Sequence, residues 1–347
     1  MQLLFLNEAM GFIKHVSFSI TAILLTNCVG VVEETDPITS PYEVEVPSHF
    51  PPIPVSNDNP LSEEKIALGK RLFFDPILSL DSSVSCASCH FTSHAFSDTI
   101  TLSRGIGDSI GDRNAPSLMN VAYATSLFRD GGAPSLEMQL YTPIEDEKEM
   151  HLDIDQAVIR LLNNTSYVRD FQNVFDTLPT LFGLTRSIAA YERTLISGNS
   201  TYDHFLKTGD SSIFNPQEKL GLQLFMSDEL QCYACHSGFY MSDNSYRNNG
   251  LYATYDDLGR ANLSLDTSDI GKFKVPSLRN ISITGPYMHN GSVLSLGAII
   301  DHYAEGGKNN ANQDDLINGF QITEEEKEAL IQFLETLTDS AYLSVAL

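Results

Sequence analysis

The chain has 347 residues, of which 42% are hydrophobic and 19% charged, enough apolar content for a globular protein of about two domains. Its formal net charge of −24 excludes a nucleic-acid binder, because a phosphate backbone would be repelled. A partner that docks by charge would present a basic face.

At the N-terminus, Lys14 and His15 precede an apolar run from Val16 to Leu25. The run is too short to span a bilayer comfortably and has the length of a signal h-region. Glu8 suits a signal n-region poorly, which places the start of such a signal at Met10. Cys28 follows Leu25-Thr26-Asn27, a loose lipobox in which Cys28 becomes the acylated first residue; the plainer alternative is a signal peptide followed by an unpaired cysteine. Residues 1–27 therefore read as a lipoprotein-type signal. Residues 28–59, rich in Pro, Ser and acidic side chains, read as a tether. A single lipid would hold the protein on a membrane surface without spanning it.

The first predicted helix opens at Ser62, with Glu63 and Glu64 in its first turn and Ile66, Leu68, Leu72 and Phe73 as its apolar positions; Asp75-Pro76 ends it. A loop leads to Cys86-Ala87-Ser88-Cys89-His90. Two cysteines at this spacing can each form a thioether to a haem vinyl group, and the histidine after them ligates the iron. A bare C-x-x-C could be half a zinc site or a redox dithiol. The full motif, however, returns at Cys232-Tyr233-Ala234-Cys235-His236, and Cys28 is the one cysteine outside the two copies. The expected cofactors are two covalent c-type haems, whose attachment places the mature protein outside the cytoplasm.

Leu68-Gly69-x-x-Leu72-Phe73 precedes the first motif and Leu220-Gly221-x-x-Leu224-Phe225 the second. This internal repeat predicts two cytochrome-c-like domains, at residues 60–205 and 206–347. Between the motifs, Ala157–Leu162 and Leu181–Leu195 carry helical periodicity, and 198–215 reads as the inter-domain connection. Thr323-Glu324-Glu325-Glu326 is a capping box that opens a last helix with Leu330, Ile331, Leu334 and Leu337 on one face. Strand signals are sparse, so the fold class is mostly α.

Several further stretches resemble the bacterial di-haem cytochrome c peroxidases and their relative MauG. They are Arg113-Asn114-Ala115-Pro116-Ser117-Leu118, Phe128-Arg129-Asp130-Gly131-Gly132, Ser135 to Gln139, Pro143 through Glu149-Met150, Val275 to Asn280 and Gly285 to Gly291. The resemblance implies a peroxidatic haem at Cys86, Cys89 and His90, an electron-transfer haem at Cys232, Cys235 and His236, and a calcium ion between the domains. It further implies Gln139 and Glu149 as the distal glutamine and glutamate of the peroxidatic haem. A carboxylate at an otherwise apolar haem face has its pKa raised, which suits it to moving a proton between the oxygens of peroxide. The family's distal ligand to the second haem falls on Tyr303, with Met288 and Met241 as rivals; tyrosinate stabilises ferric iron and thioether sulfur does the reverse. The calcium ligands carried over are the Asn114 side chain and the carbonyls of Thr284 and Pro286, oxygen donors that suit a hard cation.

The chain departs from the family twice. Many relatives carry a histidine that caps the resting peroxidatic iron in the loop after the first motif. Ser103-Arg104-Gly105-Ile106-Gly107-Asp108 has none, and His94 lies too near His90 to replace it. An open, five-coordinate first haem is therefore expected without reductive activation. Relatives also often place a tryptophan between the haems; this chain has no tryptophan, and Arg129 fills the slot. Electrons would tunnel directly or hop through a tyrosine such as Tyr123. The function expected is reduction of hydrogen peroxide to water, with electrons from a small cytochrome c or cupredoxin and a possible homodimer. The alternatives are a MauG-like oxidase that modifies a protein or small molecule through high-valent iron, and a tethered electron-transfer cytochrome with both haems closed.

Overall fold

The computed structural model describes residues 42–340; Cys28 and the expected signal lie outside them. Helix α1 (Glu63–Phe74) is followed by the long loop that holds the first C-x-x-C-H. Then come α2 (Leu136–Gln139), α3 (Tyr141–Glu145), α4 (Ile154–Leu162), α5 (Thr165–Phe175) and α6 (Leu181–Glu192). The second half carries α7 (Thr201–Thr208), α8 (Pro216–Phe225), α9 (Ala261–Ser264), α10 (Leu296–Ala304) and α11 (Glu324–Glu335). Strands β1 (Tyr246–Arg247) and β2 (Phe273–Lys274) pair antiparallel. The fold is mostly α, as expected.

The caps are those the sequence signalled. Ser62 accepts from the Lys65 amide and Asp75 closes α1. Thr323 and Glu326 form a reciprocal capping box on α11. Helix α5, which periodicity had not revealed, is capped by Asn164 and buries Tyr167 and Phe171. The stretch 198–215, expected as a connection, instead carries α7. A Ser200–Asp203 capping box starts that helix, and its Tyr202 packs against Phe333 of α11. The expected 205/206 division thus falls inside a helix of the second core.

Two hydrophobic cores form. One gathers Leu72, Phe73, Leu161, Phe171 and Leu184 from the first half; the other gathers Tyr202, Phe225, Ile300 and Phe333 from the second. The repeated Leu-Gly pair explains how each is built. A Cβ on Gly69 would collide with the Ser187 carbonyl of α6, and one on Gly221 with the Ala329 carbonyl of α11. Each glycine lets the helix before a haem motif lie backbone to backbone on its partner, and the apolar neighbours then bury the crossing.

The repeat reaches further than the sequence reading recognised. At one constant offset, Pro116-Ser117-Leu118 matches Pro276-Ser277-Leu278, Asn120 matches Asn280, and Ser135-Leu136 matches Ser295-Leu296. Asn120 and Asn280 both adopt a left-handed backbone, at φ 59° and 61°. Ser135 and Ser295 both cap the helix that follows. The two halves share one scaffold of loops.

Candidate haem and peroxide site

Both C-x-x-C-H motifs open onto a single cavity of about 1160 Å³. Each motif forms a short 3₁₀ turn, Cys86–Ser88 and Cys232–Ala234, which turns both cysteines and the histidine toward one side. His90 Nδ1 donates to the Phe96 carbonyl at 2.8 Å. His236 Nδ1 does the same to the Met241 carbonyl at 3.3 Å. Burial holds both rings below their ordinary pKa, His236 down to about 4. A neutral ring with its proton on Nδ1 keeps the Nε2 lone pair for a metal. The clamps are built alike: the Ser117 and Ser277 hydroxyls bind the carbonyls of Ala95 and Tyr240, next in the chain to those the histidines use.

The cavity lining fits a large, flat cofactor in three respects. Val84, Leu127, Leu136, Ile300 and Leu330 supply apolar walls. Gln139 Oε1 and Glu192 Oε2 are buried without a hydrogen-bond partner. Arg129 and Lys274 line the space and form no ion pair with a carboxylate among the described residues, which suits a cofactor that carries carboxylates of its own.

Glu149 and Gln139 line the same cavity as His90. Glu149 is exposed by area, yet that face borders the cavity, and desolvation by the packed protein, with Asp146 and Asp112 nearby, raises its carboxyl to about 7. The loop 103–108 lies on the Glu149 backbone. Ile106 N–H donates to the Glu149 carbonyl at 2.8 Å, and a Cβ on Gly105 would strike the same peptide. Among the described residues, the histidines of the cavity wall are His90, His236 and His289. His94 is elsewhere, bonded to Ser93 at 2.9 Å on the surface. His289 is fixed by stacking on Phe273, with ring centroids 3.9 Å apart.

In the second half, Tyr303 of α10 and Met288 both face the cavity, and both are held by Asn249. Its Nδ2 donates to Met288 Sδ at 3.1 Å, and its side chain hydrogen-bonds the Tyr303 hydroxyl, which burial pushes up to about 12. Asn249 escaped the sequence reading because nothing local marks it. The Met241 carbonyl is taken by His236 Nδ1, and Met241 is absent from the wall.

Arg129 sits at the seam between the halves. Its Nη2 donates to Asn114 Oδ1 at 2.7 Å and its Nε to the Asn114 carbonyl at 3.2 Å. Thr284 and Pro286 share the wall with Asn114. Tyr123 does not line the cavity: its hydroxyl bonds the Pro51 carbonyl at 2.8 Å and its ring meets Phe239 edge-on at 4.9 Å. Tyr240, next in the chain to Phe239, does line it.

Comparison with known proteins agrees with this architecture. Residues 63–211 match the family model described as di-haem cytochrome c peroxidase. The chain is 36% identical over 323 residues to the methylamine utilization protein MauG of Methylorubrum extorquens, covering 91% of each chain. It is 32% identical to the cytochrome c551 peroxidase of Nitrosomonas europaea, over 82% of this chain and 83% of that one. A crystal structure of a MauG-like protein associated with microbial copper homeostasis superimposes with a TM-score of 0.82 at 32% identity, covering 87% of this chain and 97% of the other. Two haem-attachment motifs around one cavity and this breadth of similarity agree: the chain belongs to the di-haem cytochrome c peroxidase and MauG family of oxidoreductases.

Proposed function

We propose that the protein reduces hydrogen peroxide to water at the first haem site, with electrons entering through the second from a small cytochrome c or cupredoxin. In this reading Cys86 and Cys89 hold one haem and Cys232 and Cys235 the other, with His90 and His236 as proximal ligands. When bound, the first haem supplies an iron with an open position for peroxide. Glu149 takes the proton from the near oxygen of peroxide and returns it to the departing one, the role for which a carboxyl raised to about 7 is suited. The unpartnered Gln139 Oε1 accepts a hydrogen bond from the bound oxidant or the water that leaves. Tyr303 would ligate the second haem, which would then supply electron transfer.

The observation that carries this reading is that Glu149 and Gln139 share the cavity wall with His90, while the other histidines of that wall among the described residues are His236 and His289, the latter stacked on Phe273. The test is peroxide-dependent oxidation of a reduced small cytochrome by the full-length holoprotein. Turnover well above that of free haem supports the reading; turnover that is unchanged in Glu149→Gln refutes it. A MauG-like oxidation of another substrate is the second reading, favoured by the buried Tyr303 in the second site. The arginine in the tryptophan slot weighs against it. The same reading includes a periplasmic or cell-envelope location, a lipid anchor at Cys28 and a homodimer. No helix among the described residues is long and apolar enough to cross a membrane.

A further inference from the structure

The candidate calcium ligands do not fit a divalent cation. Asn114 is 2% exposed, and all its polar groups are committed. Its amide donates to the His289 carbonyl at 2.9 Å. Its Nδ2 faces the Ile100 and Thr101 carbonyls, each at 3.3 Å. Both of its oxygens accept from the Arg129 guanidinium. A calcium ion on Asn114 Oδ1 would share that oxygen with a full positive charge. Two acids of the cavity wall, Asp130 and Asp257, are both already held by Arg113, at 2.6 and 2.7 Å. Lys274, at the position in the second half that Asn114 occupies in the first, adds another buried cation. Burial and the field of Arg129 lower it to about 8. At the Asn114 oxygens, then, a guanidinium already stands, with no carboxylate of the described residues paired to it, and a hard dication needs the opposite setting.

We propose that the Arg129 guanidinium is itself the cation that occupies the Asn114 oxygens, where the resemblance would put calcium, so that this protein assembles without calcium. Arg129 comes from the loop after Phe128, and its backbone carbonyl accepts from the Lys274 amide at 2.7 Å. The guanidinium thus fixes Asn114 within the first half, while the backbone carbonyl of the same residue meets β2 of the second. A planar guanidinium presents fixed donors to the two Asn114 oxygens, whereas an ion must collect six to eight separate oxygens.

The test uses the full-length holoprotein, dialysed against calcium chloride and then against metal-free buffer. Calcium content is measured by mass spectrometry, and melting temperature and haem absorption are followed with and without EGTA. The native protein is expected to retain much less than one calcium per chain, with melting and spectrum insensitive to EGTA. Arg129→Gln, which frees Asn114 Oδ1 of the charge, is expected to acquire one calcium and a melting temperature that climbs with calcium by mass action. If Arg129→Gln assembles only when calcium is supplied, the proposal is equally supported. Stoichiometric, EGTA-removable calcium in the native protein overturns it. So does an Arg129→Gln protein that neither binds calcium nor is rescued by it.

Discussion

The Asn114 amide donates to the His289 carbonyl at 2.9 Å, and the Lys274 amide, which stands where Asn114 does in the other half, donates to the Arg129 carbonyl at 2.7 Å. Arg129 and His289 are themselves matched positions, so the halves exchange one backbone hydrogen bond in each direction. Backbone bonds do not depend on side-chain identity. The duplicated scaffold can stay symmetric while side chains make the two sites different.

Glu149→Gln is expected to lower peroxide turnover by about 10²- to 10⁴-fold, the usual contribution of a positioned acid–base group. The native carboxyl, raised to about 7 by burial and by Asp146 and Asp112, must be deprotonated to accept the peroxide proton. Activity therefore rises with pH through that value, and the limb disappears from the residual activity of the variant. A pH profile of kcat/KM on both proteins checks this; a limb that persists assigns the titration elsewhere.

Gly69→Ala and Gly221→Ala test the two helix crossings. Alanine is the better helix former by about 1 kcal/mol, but each new Cβ meets a backbone carbonyl that cannot rotate away. Overpacking of this kind costs about 1–3 kcal/mol, so both variants should melt below the native protein in thermal unfolding. Equal or higher melting would mean that the crossings relax freely.

Asp203→Asn should be among the most destabilising single changes. Arg279 and Asp203 are each 2% exposed and meet at 2.8 Å, and His49 bonds the same carboxylate at 2.8 Å. Removing one partner strands a buried charge, which costs about 3–5 kcal/mol. Burial pushes the Asp203 carboxyl upward, but the hydrogen bonds from Arg279 and the other neighbours outweigh it and hold the carboxyl below its ordinary 3.8. Its contribution is therefore present above that pH and lost as pH falls below it. Urea unfolding at pH 7 and near pH 3 should show the native-to-variant gap shrinking at the lower pH.

Tyr303→Phe and Met288→Leu separate the rival ligands of the second haem. Loss of a tyrosinate ligand is expected to raise that haem's reduction potential and change its ferric electron paramagnetic resonance signal, while Met288→Leu leaves both nearly as they were. The reverse pattern would give the iron to Met288.

What the chain wrote locally was readable. The C-x-x-C-H turns, the Ser62 and Thr323 caps and the Leu-Gly repeat are each decided within a few residues, because thioether spacing, helix capping and close helix contact act over one or two turns. Helix α5 was missed although its signals are local: Asn164 caps it, and Tyr167 and Phe171 recur on one face of Thr165–Phe175. Helix α7 was missed because a glycine-, serine- and asparagine-rich start reads as a loop until Tyr202 finds Phe333.

The sequence alone determined two haem-attachment turns on a duplicated, mostly helical frame, and a glutamate and glutamine downstream of the first. Only the tertiary structure decided that Arg129 lies against Asn114, that Asn249 holds Met288 and Tyr303 together, and that Tyr123 faces away from the cavity while Tyr240 faces into it. These relationships join residues far apart in the chain. They depend on where whole loops pack, and no local pattern of residues encodes that.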